Sequence, residues 1–169
     1  MRQNGNKAGA AMTMRRDRMI KERIHDPYHV RQKPAEGTHC ATCGLVFHGG
    51  AWRKGSAATG GPTSNCPACQ RTRDRLPAGT VTLSGGFLSQ HRDEILNLAR
   101  RAANREKDTH PLHRIMDIER QDDGIVITTT DIHLPRLIGQ SVQKAYSGEL
   151  KITYGEAAYS VRVDWSRDS

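Results

Sequence analysis

The sequence predicts an α+β fold in two structured parts preceded by a basic arm, and three observations predict it. Two C-x-x-C pairs, Cys40-Ala-Thr-Cys43 and Cys66-Pro-Ala-Cys69, lie in the first half of the chain. The second half alternates between helical and strand periodicity. Charge divides along the same line: residues 1–75 carry 14 Lys and Arg against 5 Asp and Glu, whereas residues 76–169 carry 12 against 13. The expected divisions are a disordered and helical basic arm over 1–37, a cysteine module over 38–75 and an α+β module over 76–169.

Composition narrows the function classes. Hydrophobic residues make up 36% of the 169 positions and aromatics 5%, below a typical globular composition, so small cores are expected rather than one deep core. No apolar run of about 18 residues occurs, which excludes a membrane-crossing helix. The N-terminus has no apolar stretch of the secretory kind. A cytoplasmic location is therefore expected, where cysteines serve as metal ligands more readily than as disulfides. The cationic half points to a polyanionic partner.

The arm comes first. Residues 1–12, with Gly5 and Gly9 among alanines, have no periodicity and are expected to be disordered. Residues 13–25 predict a short helix that Thr13 can cap and Pro27 blocks. Arg15, Arg16, Arg18, Lys21 and Arg23 surround a stripe of only Ile20 and Ile24, and Arg31 and Lys33 extend the cationic run. One turn-spaced apolar pair does not offset the entropy of ordering a helix in water, so the arm needs a surface to fold against.

The cysteine pairs are separated by 22 residues. Each pair can turn two thiolates toward one tetrahedral ion, and a soft four-sulfur set with no open position favours a single structural Zn²⁺. Gly44 and Pro67 suit the tight turns of such knuckles, and Gly55 to Ser64 reads as a flexible hairpin tip that absorbs the long spacing. A zinc ribbon held by four cysteines is the expected outcome. A redox C-x-x-C would need no matched second pair. His39 and His48 are spare ligands that a complete shell leaves out. Arg53, Lys54, Arg71, Arg73 and Arg75 flank the knuckles; on a rigid platform they can bind phosphates, while Trp52 either stacks on a base or packs under the ribbon.

Beyond the cysteines, Thr80 to Leu83 predicts a strand. Leu88, Ile95, Leu98 and Ala102 recur at helical spacing, with Asp93 and Glu94 where a first turn favours acids. Arg114 to Arg120 and Ile125 to Thr130 predict a hairpin about Asp122-Asp123-Gly124, whose Asp-Gly step tolerates positive φ. Leu134, Leu137, Ile138, Val142, Ala145 and Tyr146 share one helical face, ended by Gly148. Leu150 to Tyr154 and Tyr159 to Trp165 predict a second hairpin, with Tyr159, Val161, Val163 and Trp165 on the buried face. The elements run α-β-β-α-β-β; with the leading strand they spell the ferredoxin-like order plus one appended strand. A sheet covered on one face by two helices follows naturally.

Other constellations are weaker. His91, Asp93 and Glu94, or His110, His113, Asp131 and His133, would have to converge to catalyse anything. His91 near a helix start and Asp131 as a helix cap have ordinary structural roles. A metal-dependent enzyme would need a second ion at His110, His113 and His133. Ser84-Gly85-Gly86 before a helix could cradle a phosphate, but no Gly-Lys-Ser/Thr follows it. No catalytic residue and no small-molecule substrate are expected.

Several runs carry a resemblance: Val81-Thr-Leu-Ser-Gly-Gly-Phe-Leu-Ser-Gln-His-Arg-Asp-Glu-Ile95, His110-Pro-Leu-His-Arg-Ile-Met116, Ile127-Thr-Thr-Thr-Asp-Ile-His133, Arg15-Arg-Asp-Arg18 and His25-Asp-Pro-Tyr28. Over roughly 15–166 the chain resembles a family of small bacterial zinc-motif proteins. That family in turn resembles the amino-terminal half of the archaeal and eukaryotic large-subunit nuclear export adaptor, which pairs C-x-x-C knuckles with an α+β module and occupies the tRNA-binding region of the large subunit. This chain has two C-x-x-C pairs where the adaptor has more, and it lacks the adaptor's later domains. The resemblance implies ribosome association through large-subunit rRNA and proteins, in hibernation, stress response or biogenesis, without the transport role. The alternative is a zinc-ribbon DNA-binding or transcription-associated regulator, which the same cations would serve.

Overall fold

A computed structural model describes residues 26–28, 33–156 and 159–169. The helix predicted over 13–25, and with it Arg15, Arg16, Arg18, Lys21, Arg23 and Arg31, lies outside the described residues. What is described is α+β, with two mixed sheets and three helices.

The first sheet is built from very short strands: β1 (His39–Cys40), β2 (Val46–His48), β3 (Ala51–Arg53) and β4 (Thr63–Ser64), in the order β3-β2-β1-β4. β1, β2 and β3 are antiparallel neighbours, and β4 returns parallel to β1 after the 55–62 loop. Helix α1 (Pro67–Asp74) follows directly, with Pro67 in its first turn, where a missing N–H costs nothing. Its end is marked by Arg75 at φ 53°, whose N–H reaches back to the carbonyls of Arg71 and Thr72. Leu45, Phe47, Trp52 and Ala68 pack with the cysteines into a small core. So few apolar side chains cannot offset the ordering entropy of some 38 residues.

The second sheet holds β5 (Gly79–Ser84), β6 (Ile115–Gln121), β7 (Gly124–Thr129), β8 (Glu149–Tyr154) and β9 (Val161–Ser166), with α2 (Gly86–Thr109) and α3 (Leu134–Tyr146) between them. Buried and less buried positions alternate along β5 and β9. Val81, Leu83, Ile125, Ile127, Val163 and Trp165 are fully buried with Ile95, Leu96, Leu134, Ile138 and Val142 of the helices. Gly139 lets α3 settle onto β9: a Cβ there would lie 2.5 Å from a Val163 methyl.

The strand order is β6-β7-β5-β9-β8. In a ferredoxin-like sheet the strand after the second helix sits beside the first strand. Here β9, the strand expected as an appendage, inserts between them, parallel to β5 and antiparallel to β8. It thus occupies an interior position, with Val161, Val163 and Trp165 buried on one face and Arg162 exposed on the other.

Three local expectations are corrected in mechanism. The turn at Asp122-Asp123 is present, but Gly124 has no positive φ; it pairs with Gln121 and passes so close to β5 that a Cβ would lie 2.4 Å from the Leu83 carbonyl oxygen. Helix α2 begins at Gly86, earlier than the acids implied, and is kinked at His91 (φ −114°, ψ 15°); Asp93 and Glu94 open the segment after the kink. The Ser84-Gly85-Gly86 turn is no phosphate cradle. The Arg167 carbonyl accepts the Phe87 N–H, and a Cβ on Gly85 would lie 2.2 Å from that same oxygen.

The end of α3 behaves as expected. Gly148 takes φ +91°, and a Cβ there would lie 2.8 Å from Trp165 Nε1, which donates to the Ser147 carbonyl at 2.7 Å. Trp165→Phe removes that hydrogen bond and shrinks a fully buried ring. Thermal unfolding is expected to show a loss of about 1–2 kcal/mol.

Candidate metal centre

The two cysteine pairs reach one point from two kinds of element. Cys40 ends β1 and Cys43 follows in the turn closed by Gly44 at φ +75°, whose N–H donates to the Cys40 carbonyl. Cys66 is the N-cap residue of α1 and Cys69 lies in its first turn. This departs from two matched knuckles, because a helix supplies the second pair. The first turn of a helix leaves N–H groups free, which suits sulfur anions.

The four sulfurs lie within 4.8 Å of one another, and Cys43 Sγ and Cys66 Sγ are 3.7 Å apart. Tetrahedral ligands at metal–sulfur bonds of about 2.3 Å are about 3.8 Å apart. The donor set therefore fits one metal ion, with Cys66 fully buried and Cys43 exposed. No imidazole joins it. His39 Nε2 meets the Thr63 hydroxyl and His48 pairs with Glu36.

The surroundings favour thiolates unevenly. Burial pushes the Cys40 thiol up, but the N–H groups of Cys66, Cys43 and Thr42 more than offset it and bring it to about 6. Burial holds the Cys66 and Cys69 thiols above the usual range. Left to themselves, these sulfurs would not all ionise; a dication at their centre supplies the missing charge.

Arg114 was not among the predicted site residues. Its guanidinium donates through Nη2 to Cys43 Sγ at 3.3 Å, with Cys66 Sγ at 3.9 Å, and through Nη1 to Cys69 Sγ at 3.5 Å. Its Nε–H is held by the Pro111 carbonyl at 2.7 Å, and its backbone N–H by the Thr130 hydroxyl. The residue immediately precedes β6, so the α+β module supplies a cation to the metal cluster. Leu112 packs against the small cysteine core from the same loop.

The predicted phosphate contacts divide. Lys33, Arg53, Lys54, Arg73 and Arg75 are exposed. Lys54 also meets Asp108 at 2.9 Å and Arg73 meets Asp74 at 3.1 Å. Arg71 is not a phosphate contact: at 4% exposure it pairs with Asp26, donates to the Leu76 carbonyl and lies 4.5 Å from the Tyr28 ring centroid. A guanidinium so enclosed cannot reach a phosphate. Trp52 is likewise a core residue, 8% exposed and packed edge-on against Phe47 at 5.7 Å. It is not a free stacking platform.

The histidines also resolve. His91 stacks on Phe87 at 4.0 Å and meets Glu94 at 3.2 Å. Asp131 caps α3 as expected, its Oδ2 accepting the N–H groups of His133 and Leu134 at 2.7 and 3.0 Å. His110 and His113 do converge, but on Glu106. His133 stacks on His113 at 5.5 Å and brings no donor to that group.

No helix among the described residues is long and apolar enough to cross a membrane. Comparisons with family models, curated proteins and solved structures give no match for this chain.

Proposed function

We propose that this chain is a cytoplasmic, non-enzymatic zinc protein that binds ribosomal RNA on the large subunit near the tRNA sites and acts in hibernation, stress response or biogenesis. The carrying observation is the coincidence of a four-sulfur centre with the cationic half of the chain. Lys33, Arg53, Lys54, Arg73 and Arg75 are exposed around a unit too small to fold without its ion.

Zn²⁺ is the ion that a closed tetrathiolate set without redox chemistry favours. In this reading residues 38–75 act as a ribbon-like platform whose second arm is α1. The arm over 13–33 (Arg15, Arg16, Arg18, Lys21, Arg23, Arg31, Lys33) orders against RNA and releases counterions from its phosphates. The near-neutral α+β module provides shape and contacts to ribosomal proteins. Its resemblance to the amino-terminal half of the export adaptor family supports the large subunit as the partner, and a body at the tRNA sites blocks translation by occupancy alone.

Sedimentation through sucrose gradients at graded salt tests this. Co-migration with 50S or 70S particles is expected, falling steeply as salt rises. Reversing Arg15, Arg16, Arg18, Lys21 and Arg23 to Glu should release the protein. Unchanged co-migration after reversal overturns the arm mechanism, and migration with nucleoid or polymerase instead favours a DNA-bound regulator.

A further inference from the structure

We infer that Glu106, His110 and His113 form a second, open metal site for a first-row divalent cation. The site is separate from the cysteines and does not depend on ribosome binding.

One carboxylate oxygen stands at its centre: Glu106 Oε1 is 2.7 Å from His113 Nδ1 and 3.0 Å from His110 Nδ1. The three donor atoms all lie within 4.8 Å of one another. Adjacent ligands of an octahedral ion with bonds of about 2.1 Å are about 3.0 Å apart. Two imidazoles and one carboxylate suit borderline first-row ions, and three protein donors leave coordination positions open.

Burial and topology make the group more than a surface coincidence. The side chains of Glu106 and His113 are 16% and 18% exposed, while that of His110 is 58% exposed. Glu106 comes from the last turn of α2, and both histidines from the loop that leaves it; their rings stack at 4.8 Å and 9°, so the exposed His110 ring turns to aim its in-plane lone pair at a shared ion. Asp131, 5% exposed, gives the independent sign. Its Oδ2 lies 3.5 Å from His113 Nδ1 while its Oδ1 is buried with no hydrogen-bond partner. Asp131 is not one of the three donors, but its buried carboxylate next to His113 keeps an oxygen that no protein group satisfies, and negative charge there favours a cation nearby. Without an ion, Glu106 Oε1 pairs with His113, His110 Nδ1 has the Thr109 hydroxyl at 3.1 Å, and the neighbouring Asp131 carboxylate remains half satisfied.

The site has access. His110 and His113 line a cavity of about 350 Å³ whose other walls include Pro34, Phe47, Trp52 and Leu112. A cation on the three donors therefore has room on that side for water or a small ligand.

Titration of the full chain, its cysteines filled with zinc, with Co²⁺ tests the inference. One further equivalent is expected to bind with the weak ligand-field absorption of nitrogen and oxygen ligation and no thiolate charge-transfer band. His110→Ala and Glu106→Gln should abolish that equivalent while leaving one zinc per chain. His110 is exposed enough that its removal should leave the melting curve unchanged. No second equivalent in the wild type, cobalt appearing only by displacing zinc from sulfur, or full second-site binding by His110→Ala would each overturn it.

Discussion

Cys66→Ser is expected to empty the cysteine site of zinc and to unfold residues 38–75, while the α+β module keeps its secondary structure. Cys66 is fully buried, its sulfur is 3.7 Å from Cys43 Sγ, and its backbone N–H donates to Cys40 Sγ at 3.2 Å. It thus joins both halves of the cluster. Structural zinc sites of this kind supply about 10–16 kcal/mol of apparent binding free energy at neutral pH, and in small modules that is the folding free energy. Strands of two or three residues around Leu45, Phe47, Trp52 and Ala68 have no comparable source. Metal analysis with hydrogen exchange measured module by module checks this. Strong chelation of the wild type should give the same exchange pattern. Protection of residues 38–75 that survives metal loss would show that the apolar core suffices.

The elements legible in the sequence are those whose signal is local. The alternation of Val161, Val163 and Trp165 marks β9 because its period of two reports a buried face. The C-x-x-C spacing marks the metal cluster because ligand chemistry constrains neighbours in the chain. Where β9 pairs is not local. Hydrophobic alternation reports which face is buried and says nothing about the neighbouring strands, so insertion between β5 and β8 leaves no trace in the pattern.

Glycine reads ambiguously for a related reason. The same residue serves positive φ at Gly148, room for the Leu83 carbonyl at Gly124, and room for the Arg167 carbonyl at Gly85. At all three a distant stretch of chain passes too close for a Cβ, and Gly85 and Gly148 take positive φ as well. Charge misleads at Arg71, because an arginine in a basic run reads as solvent-facing until Asp26 and Tyr28 are seen to enclose it. Arg114 escapes sequence reading because its sulfur partners lie 45 and 71 residues away, whereas Glu106 stands at i,i+4 to His110, a local spacing that carries a legible signal. The pair Asp131 and α3 was found because a helix cap is a short-range contact.

The two modules are therefore coupled through a residue that belongs to neither motif, and Arg114→Ala should reveal the coupling. Four thiolates around a dication carry a net charge of −2, which Arg114 reduces by donating to Cys43, Cys66 and Cys69. The same sulfur contacts raise the pKa of Arg114 despite a burial that opposes its charge, so the cation is secure at any ordinary pH. Removing a group that orients and neutralises metal ligands typically costs about 10–100-fold in metal affinity. Competition with a chromophoric chelator is expected to show zinc affinity lower by that amount. Arg114→Lys should recover only part of it, since one ammonium cannot match the planar fork of a guanidinium spread over three sulfurs. Because Pro111 and Thr130 hold Arg114 on the α+β side, chelating the wild type should also raise hydrogen exchange at the amides of residues 112–114. In Arg114→Ala that metal dependence should shrink, the remainder being carried by Leu112, which packs against the cysteine core. Equal zinc affinity in wild type and Arg114→Ala would mean that the guanidinium merely rests on the sulfurs and does not couple the two modules.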